Sequence, residues 1–148
     1  MSVGWGQDTT PPELIDFSIS TNEVDVTDGD QSVVVSFIGL DDISGVSSFQ
    51  SVWVSPNGMS NEGYCSNSDG DLELECSGTM NFEQYSDDGV WLISQINIHD
   101  IIGNGRIYYI DELEEMGFET EINVVSQEDI TPPELIDFSI STNEVDVT

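Results

Sequence analysis

The chain has 148 residues, of which 30 are Asp or Glu and only one is Lys or Arg, so its formal net charge is −29. Nucleic acids and anionic membrane surfaces bind through Lys and Arg, so this composition argues against both as partners. Hydrophobic residues make up 37% of the chain, which argues against a disordered acidic polymer and predicts a folded core.

The first predicted strand covers residues 12–20. Ile15, Phe17 and Ile19 alternate with polar residues there, which is the period-two pattern of a strand with one buried face. We therefore expect these three side chains to point into the core. Val24 and Val26 predict a short second strand.

Further strands follow at short intervals along the chain. Residues 32–38, 46–55, 79–82 and 90–98 all show apolar alternation between turn-forming segments. Trp53 and Trp91 lie within two of these strands, and we interpret them as core residues rather than as ligand platforms.

Cys65 and Cys76 are the only cysteines. Their spacing across a polar segment predicts a hairpin closed by a disulfide. Such a bond stabilises by on the order of 3 kcal/mol and indicates an oxidising compartment.

One short helix is predicted near the end of the unit. Asp111 is the expected N-cap, Glu114 completes a capping box, and Gly117 suits the exit. Leu113 and Met116 are expected to face the core. A final strand over 118–125 follows, with Ile122 and Val124 directed inward.

These short strands and turns predict an all-β fold, an immunoglobulin-like antiparallel β-sandwich with one short helix, plus the first strands of a following repeat. The last prediction depends on a sequence repeat. Residues 10–27, TPPELIDFSISTNEVDVT, recur without change as residues 131–148, at an offset of 121 residues (131 minus 10).

The repeat divides the chain into three parts. We expect residues 1–7 to be a leader or tag-like segment, 8–128 to be one complete unit, and 129–148 to be the linker and first strand of the next unit. The second copy carries Ile136, Phe138 and Ile140 as its core-facing residues. Two interpretations stay open: it continues a longer array, or it is donated as a strand to a neighbouring chain.

The sequence contains no recognisable catalytic set. His99 is the only histidine and ends an apolar strand, and neither a serine elbow nor a catalytic cysteine is evident. We therefore expect a protein that is not an enzyme.

Calcium is the expected cofactor, since it takes six to eight oxygen ligands and offsets negative charge. A first site is predicted where two loops meet at one end of the sandwich, and a second at the linkers before each copy of the repeat. The residues are Asp41, Asp42, Asp100 and Asn104 for the first, and Asp8 and Asp129 for the second. The alternative is that these acids cap their own turns.

The segments DTTPPELIDFSIS, LDDISGV, DGVWLISQINIHDIIGNG and ELEEMGFETEINV resemble the bacterial immunoglobulin-like or cadherin-like tandem repeats of large secreted and adhesin-type surface proteins. The resemblance implies an extracellular or cell-surface stalk or spacer, with calcium at loops and linkers. The cysteine pair and the near absence of cations depart from the commoner pattern.

The leading hypothesis is a structural or adhesive repeat of an extracellular fibre or giant surface protein, whose partners are adjacent repeats or other copies of itself. The alternative is a carbohydrate- or ligand-binding module of a secreted enzyme, which needs exposed aromatic residues. The candidates for that role are Trp5, Tyr64, Tyr85, Tyr108 and Tyr109.

Overall fold

The structure, a computed structural model, describes residues 9–126 and Leu135. Short strands dominate because apolar and polar residues alternate between turn formers along most of the chain. The elements are β1 (Glu13–Ile19), β2 (Glu23–Asp25), β3 (Gln31–Leu40), β4 (Val46–Val54), β5 (Ser60–Ser66), β6 (Glu73–Phe82), β7 (Gly89–Asp100), β8 (Gly105–Tyr109), α1 (Ile110–Glu115) and β9 (Glu121–Val125).

The strands form two sheets. The first sheet has the order β1-β3-β6, and the second has the order β2-β9-β7-β4-β5, with β8 also paired to β7. The two inner faces enclose one core, so the predicted all-β sandwich with one short helix is confirmed.

One strand pair departs from the antiparallel pattern. The chain leaves the first sheet after β1 and enters the second as β2, which pairs with β9 in parallel. All other pairs in the described residues are antiparallel.

Aromatic side chains fill the middle of the core. Phe37 of β3 stacks on Phe49 of β4 across the two sheets, with ring centroids 4.8 Å apart and planes 12° apart. Phe82 meets Trp91 edge to face at 5.2 Å. Trp53 and Trp91 are both buried, as predicted from the sequence.

The helix differs in two details from its prediction. Tyr109 occupies the N-cap without a side-chain capping bond, and Asp111 lies inside the first turn. Leu113 is buried, but Met116 is 38% exposed because the helix has ended by that residue. Gly117, with φ of 84°, provides the predicted exit.

The structure contains the Cys65–Cys76 disulfide, with the two Cα atoms 6.1 Å apart. The predicted hairpin is wrong, since β5 lies in the second sheet and β6 in the first. The bond therefore joins neighbouring edges of the two sheets. Gly78 of β6 lies directly against the backbone of Tyr64, where a Cβ would clash.

Strand β8 was not predicted from the sequence. It pairs with residues 95–99 of β7, and β9 pairs with residues 89–92 of the same strand. The two strands therefore occupy successive parts of one edge of β7, and α1 occupies the connection between them.

Candidate functional site

Strand β1, which is formed by the first copy of the repeat, lies at the edge of the three-stranded sheet. Leu14 is 1% exposed and Phe17 is 3% exposed, whereas Ile15 is 43% exposed. The prediction that Ile15 faces the core was therefore wrong. The pairing with β3 shifts register between Leu14 and Asp16, and such an irregularity moves the inward face by one residue.

Phe17 is the main core contact of β1. Its ring centroid lies 5.2 Å from that of Phe37, 6.4 Å from that of Trp53 and 6.3 Å from that of Phe118. These partners come from β3, from β4 and from the segment between α1 and β9. The first strand therefore packs against both sheets.

Leu14 makes a second connection between the sheets. Its backbone N–H donates a hydrogen bond to the hydroxyl oxygen of buried Tyr108, at 2.9 Å. The guanidinium carbon of Arg106 lies 4.1 Å from the centre of the Tyr108 ring, and Arg106 also forms an ion pair with Glu112. Burial raises the pKa of Tyr108, and the hydrogen bond from Leu14 opposes that rise.

The second copy of the repeat lies almost entirely outside the described residues, and so do Ile136, Phe138 and Ile140. Leu135 is described and is 75% exposed. By position in the repeat, Leu135 corresponds to Leu14. Leu135 and Phe138, rather than Ile136 and Ile140, are thus the residues of the second copy that correspond in sequence to the buried Leu14 and Phe17 of β1.

The two loops of the predicted calcium site adjoin each other. The N–H of Ile101 donates to the carbonyl of Gly45 at 2.9 Å. Asp41 follows β3 and Asp100 ends β7, and both are buried. The topology thus brings the predicted loops to one end of the sandwich.

The carboxylates of these loops are directed toward their own turns. Oδ2 of Asp41 accepts the N–H groups of Ser44 and Gly45 at 2.9 and 2.8 Å. Oδ1 of Asp100 accepts the N–H of Asn104 at 2.8 Å, and Oδ2 accepts its side-chain amide at 2.8 Å. The N–H of Ile102 also donates to Oδ1 of Asp100 at 3.1 Å, which is the two-residue spacing of an Asx turn. Both carboxylates therefore cap their own loops.

Asp42 makes a different contact, accepting the hydroxyl of Thr10 at 3.2 Å. Between residues 9 and 126, no group of three His, Cys, Asp or Glu side chains is arranged to hold a metal ion. Calcium binding at these loops stays a prediction. Asp8 and Asp129 lie outside the described residues.

The five aromatic candidates for ligand binding fall into three groups. Tyr108 is buried in the core, and Trp5 lies outside the described residues. Tyr64, Tyr85 and Tyr109 are 56%, 57% and 57% exposed. Tyr64 and Tyr109 belong to strands of the second sheet, whereas Tyr85 lies in the turn between β6 and β7.

No family model matches the chain, and no curated protein matches it. Among solved structures, it is similar to Cwp6 from Clostridium difficile, with a TM-score of 0.51 and 14% sequence identity. The match covers 88% of this chain and 19% of Cwp6, so the chain corresponds to a small part of that protein. At this identity the likeness concerns the fold alone.

Within the described residues, no helix has the length and apolar character needed to cross a membrane.

Proposed function

We propose that the chain contributes a non-catalytic structural repeat to an extracellular or cell-surface protein built from tandem units. The observation that carries this proposal is the role of β1. Its sequence, which supplies buried Leu14 and Phe17 to the unit, occurs a second time after β9. A second copy of the element that opens one sandwich is the expected start of another sandwich of the same kind.

Two further observations support the location. The disulfide between β5 and β6 is a feature of proteins from oxidising compartments. The fold is also found in Cwp6, a cell-wall protein. In such a protein the unit acts as a spacer, and the length of the array sets how far an attached module projects.

Strand exchange is a second candidate, favoured by the identity of the two copies. Residues 131–148 match β1 and β2 residue for residue, so the second copy can make every contact of the first in another molecule. The first copy is tethered to its own sandwich at an effective concentration of about millimolar or more. Exchange therefore requires that the first copy be weakened or removed.

The mass of the purified chain, measured by light scattering across a hundredfold range of concentration, separates the two candidates. The array predicts a monomer for the wild-type chain. Phe17→Ala weakens the first copy and leaves Phe138 intact, so exchange predicts oligomers for this variant and none for the double variant Phe17→Ala/Phe138→Ala. A monomer in all three cases excludes exchange, and a wild-type polymer excludes the simple array.

Calcium stabilisation is part of the proposal on grounds of charge. A chain of net charge −29 repels itself, and divalent cations reduce that repulsion. Because the carboxylates of Asp41 and Asp100 cap their own turns, we place the expected effect on the acidic surface and the linkers rather than on one buried site.

A further inference from the structure

The outer face of the second sheet carries a row of hydrogen-bonded amides. Nε2 of Gln95 donates to Oδ1 of Asn97 at 2.9 Å, and Nδ2 of Asn97 donates to Oε1 of Gln50 at 2.9 Å. The row crosses from β7 to β4. These bonds fix the orientation of all three amides before any ligand arrives.

Exposed tyrosines flank this row on both sides. Tyr64 of β5 lies directly opposite Gln50, and Tyr109 of β8 lies directly opposite Gln95. Opposite residues in paired strands point to the same side of the sheet. The resulting surface, which we call the amide–tyrosine face, consists of Gln50, Tyr64, Gln95, Asn97, Ile107 and Tyr109.

The amide–tyrosine face carries little charge in a chain of net charge −29. Strand β4 contains no charged residue, and the only acid of β7 is Asp100, at its buried last position. Glu62 and Glu121 lie on the flanking strands.

The first sheet shows the opposite pattern on its outer surface. Asp16 of β1 and Glu75 of β6 both pair with Ile38 of β3, and all three strands are accessible from that side. Glu13 and Glu73 flank Leu40 in the same way. The acidic composition is therefore distributed unevenly, and one sheet has a neutral centre.

We propose that the amide–tyrosine face binds an uncharged oligosaccharide. A carboxamide has two N–H donors and two acceptor lone pairs, so the row retains both donors and acceptors for sugar hydroxyls beyond its own bonds. Tyrosine rings offer flat apolar surfaces with a polar edge, which suit the less polar faces of sugar rings.

Charge repulsion and the cost of desolvation favour this ligand over other possible occupants of the amide–tyrosine face. A second copy of the chain brings another net charge of −29 to the interface, and like charges oppose association. An apolar partner would remove water from the amides without replacing their hydrogen bonds, which costs free energy. A neutral polyhydroxyl chain avoids both penalties.

The dimensions of the face indicate a chain of several sugars. Tyr64 and Tyr109 lie on strands three steps apart in the sheet, which places them roughly 15 Å from each other. Tyr64 also borders an open cavity of about 640 Å³ lined by Ser66, Asn67, Ser68 and Asp69. A ligand that contacts both tyrosines therefore crosses the amide row, and its end can enter this cavity.

The test is affinity electrophoresis of the full chain in gels containing soluble β-glucan, xylan, mannan or galactan. Wild-type protein is expected to be retarded by at least one of the four. Tyr64→Ala and Tyr109→Ala should each weaken retardation roughly tenfold, as for central aromatic contacts. Tyr85→Ala is the matched control, since Tyr85 is equally exposed but lies away from the face.

Three outcomes overturn the proposal. The first is no retardation in any of the four gels, and the second is an equal loss of retardation in the Tyr85→Ala control. The third is a concentration-dependent dimer that Tyr64→Ala abolishes, because this result identifies a second copy of the chain as the occupant. Melting temperatures of the variants establish that each is folded. The face is separate from β1, so either result leaves the array proposal intact.

Discussion

The backbone N–H of Leu14 donates its hydrogen bond to the hydroxyl of Tyr108, and both residues are 1% exposed. Leu14 belongs to the edge strand of the first sheet, and Tyr108 belongs to β8 in the second. A single buried bond thus connects the first strand of the unit to the strand before its helix. This bond and the packing of Phe17 add to the backbone pairing of β1 with β3, and together they hold the first copy of the repeat in the fold.

Replacing Tyr108 with Phe should destabilise the unit by about 1–3 kcal/mol, because the N–H of Leu14 is then buried without its acceptor. Tyr109→Phe removes a hydroxyl from an exposed neighbour and should change stability by less than about 0.5 kcal/mol. Urea unfolding of the two variants measures the difference. Equal effects would show that the hydroxyl of Tyr108 makes no special contribution.

The same tyrosine predicts a loss of stability at high pH. Burial raises the pKa of Tyr108 in the folded protein, whereas the pKa of tyrosine in an unfolded chain is about 10. Below that pH both states keep the proton, and above it only the unfolded state releases the proton readily, so stability falls as pH rises through the folded pKa. The melting temperature should fall more steeply above this pH for wild-type protein than for Tyr108→Phe, and parallel curves would contradict the assignment.

Reducing the Cys65–Cys76 disulfide should lower the free energy of unfolding by about 3 kcal/mol, since the bond closes a loop with a sequence separation of 11. The expected effect is a shift in the urea midpoint, with thiol alkylation and mass measurement confirming that reduction is complete. An unchanged midpoint in fully reduced protein would show that the join between the two sheets depends on packing alone.

Calcium should raise the melting temperature more than sodium chloride of matched ionic strength. Both salts screen the charge of −29, but calcium also binds carboxylates directly, and a ligand at a hundred times its dissociation constant stabilises by about 2.7 kcal/mol. The Asp100→Asn substitution should leave the difference between the two salts unchanged, because the carboxylate of Asp100 caps its own turn. If the melting temperature rises equally with the two salts, calcium acts only by screening the charge.

Sequence periodicity predicted the sandwich because residues such as Val33, Val35 and Phe37 alternate without interruption, and all three are buried. It failed at Ile15, where a register shift that depends on pairing with β3 changes which side chain faces the core. A local pattern carries no information about a partner strand, so this error could not be avoided from the sequence.

The contact between Leu14 and Tyr108 was missed for a similar reason, since the two residues are far apart in the chain. Part of it was accessible from the sequence. Residues 106–109 follow a Gly-Asn-Gly turn and contain an isoleucine and two tyrosines, which are residue types that favour strands. In a strand, the adjacent residues Tyr108 and Tyr109 point to opposite faces. The amide row could not be predicted, because it depends on which residues of β4 and β7 lie opposite each other.

The central claim is that the first copy of the repeat, and not the second, completes this unit. Phe17→Ala and Phe138→Ala are the same substitution at equivalent positions of the two copies, and thermal unfolding of both variants tests the claim directly. We expect Phe17→Ala to cost about 3–5 kcal/mol, as for other buried phenylalanines, with no change for Phe138→Ala. The reverse order would place the second copy in the position of β1, and equal losses would show that both copies stabilise the unit. Either result would contradict the claim.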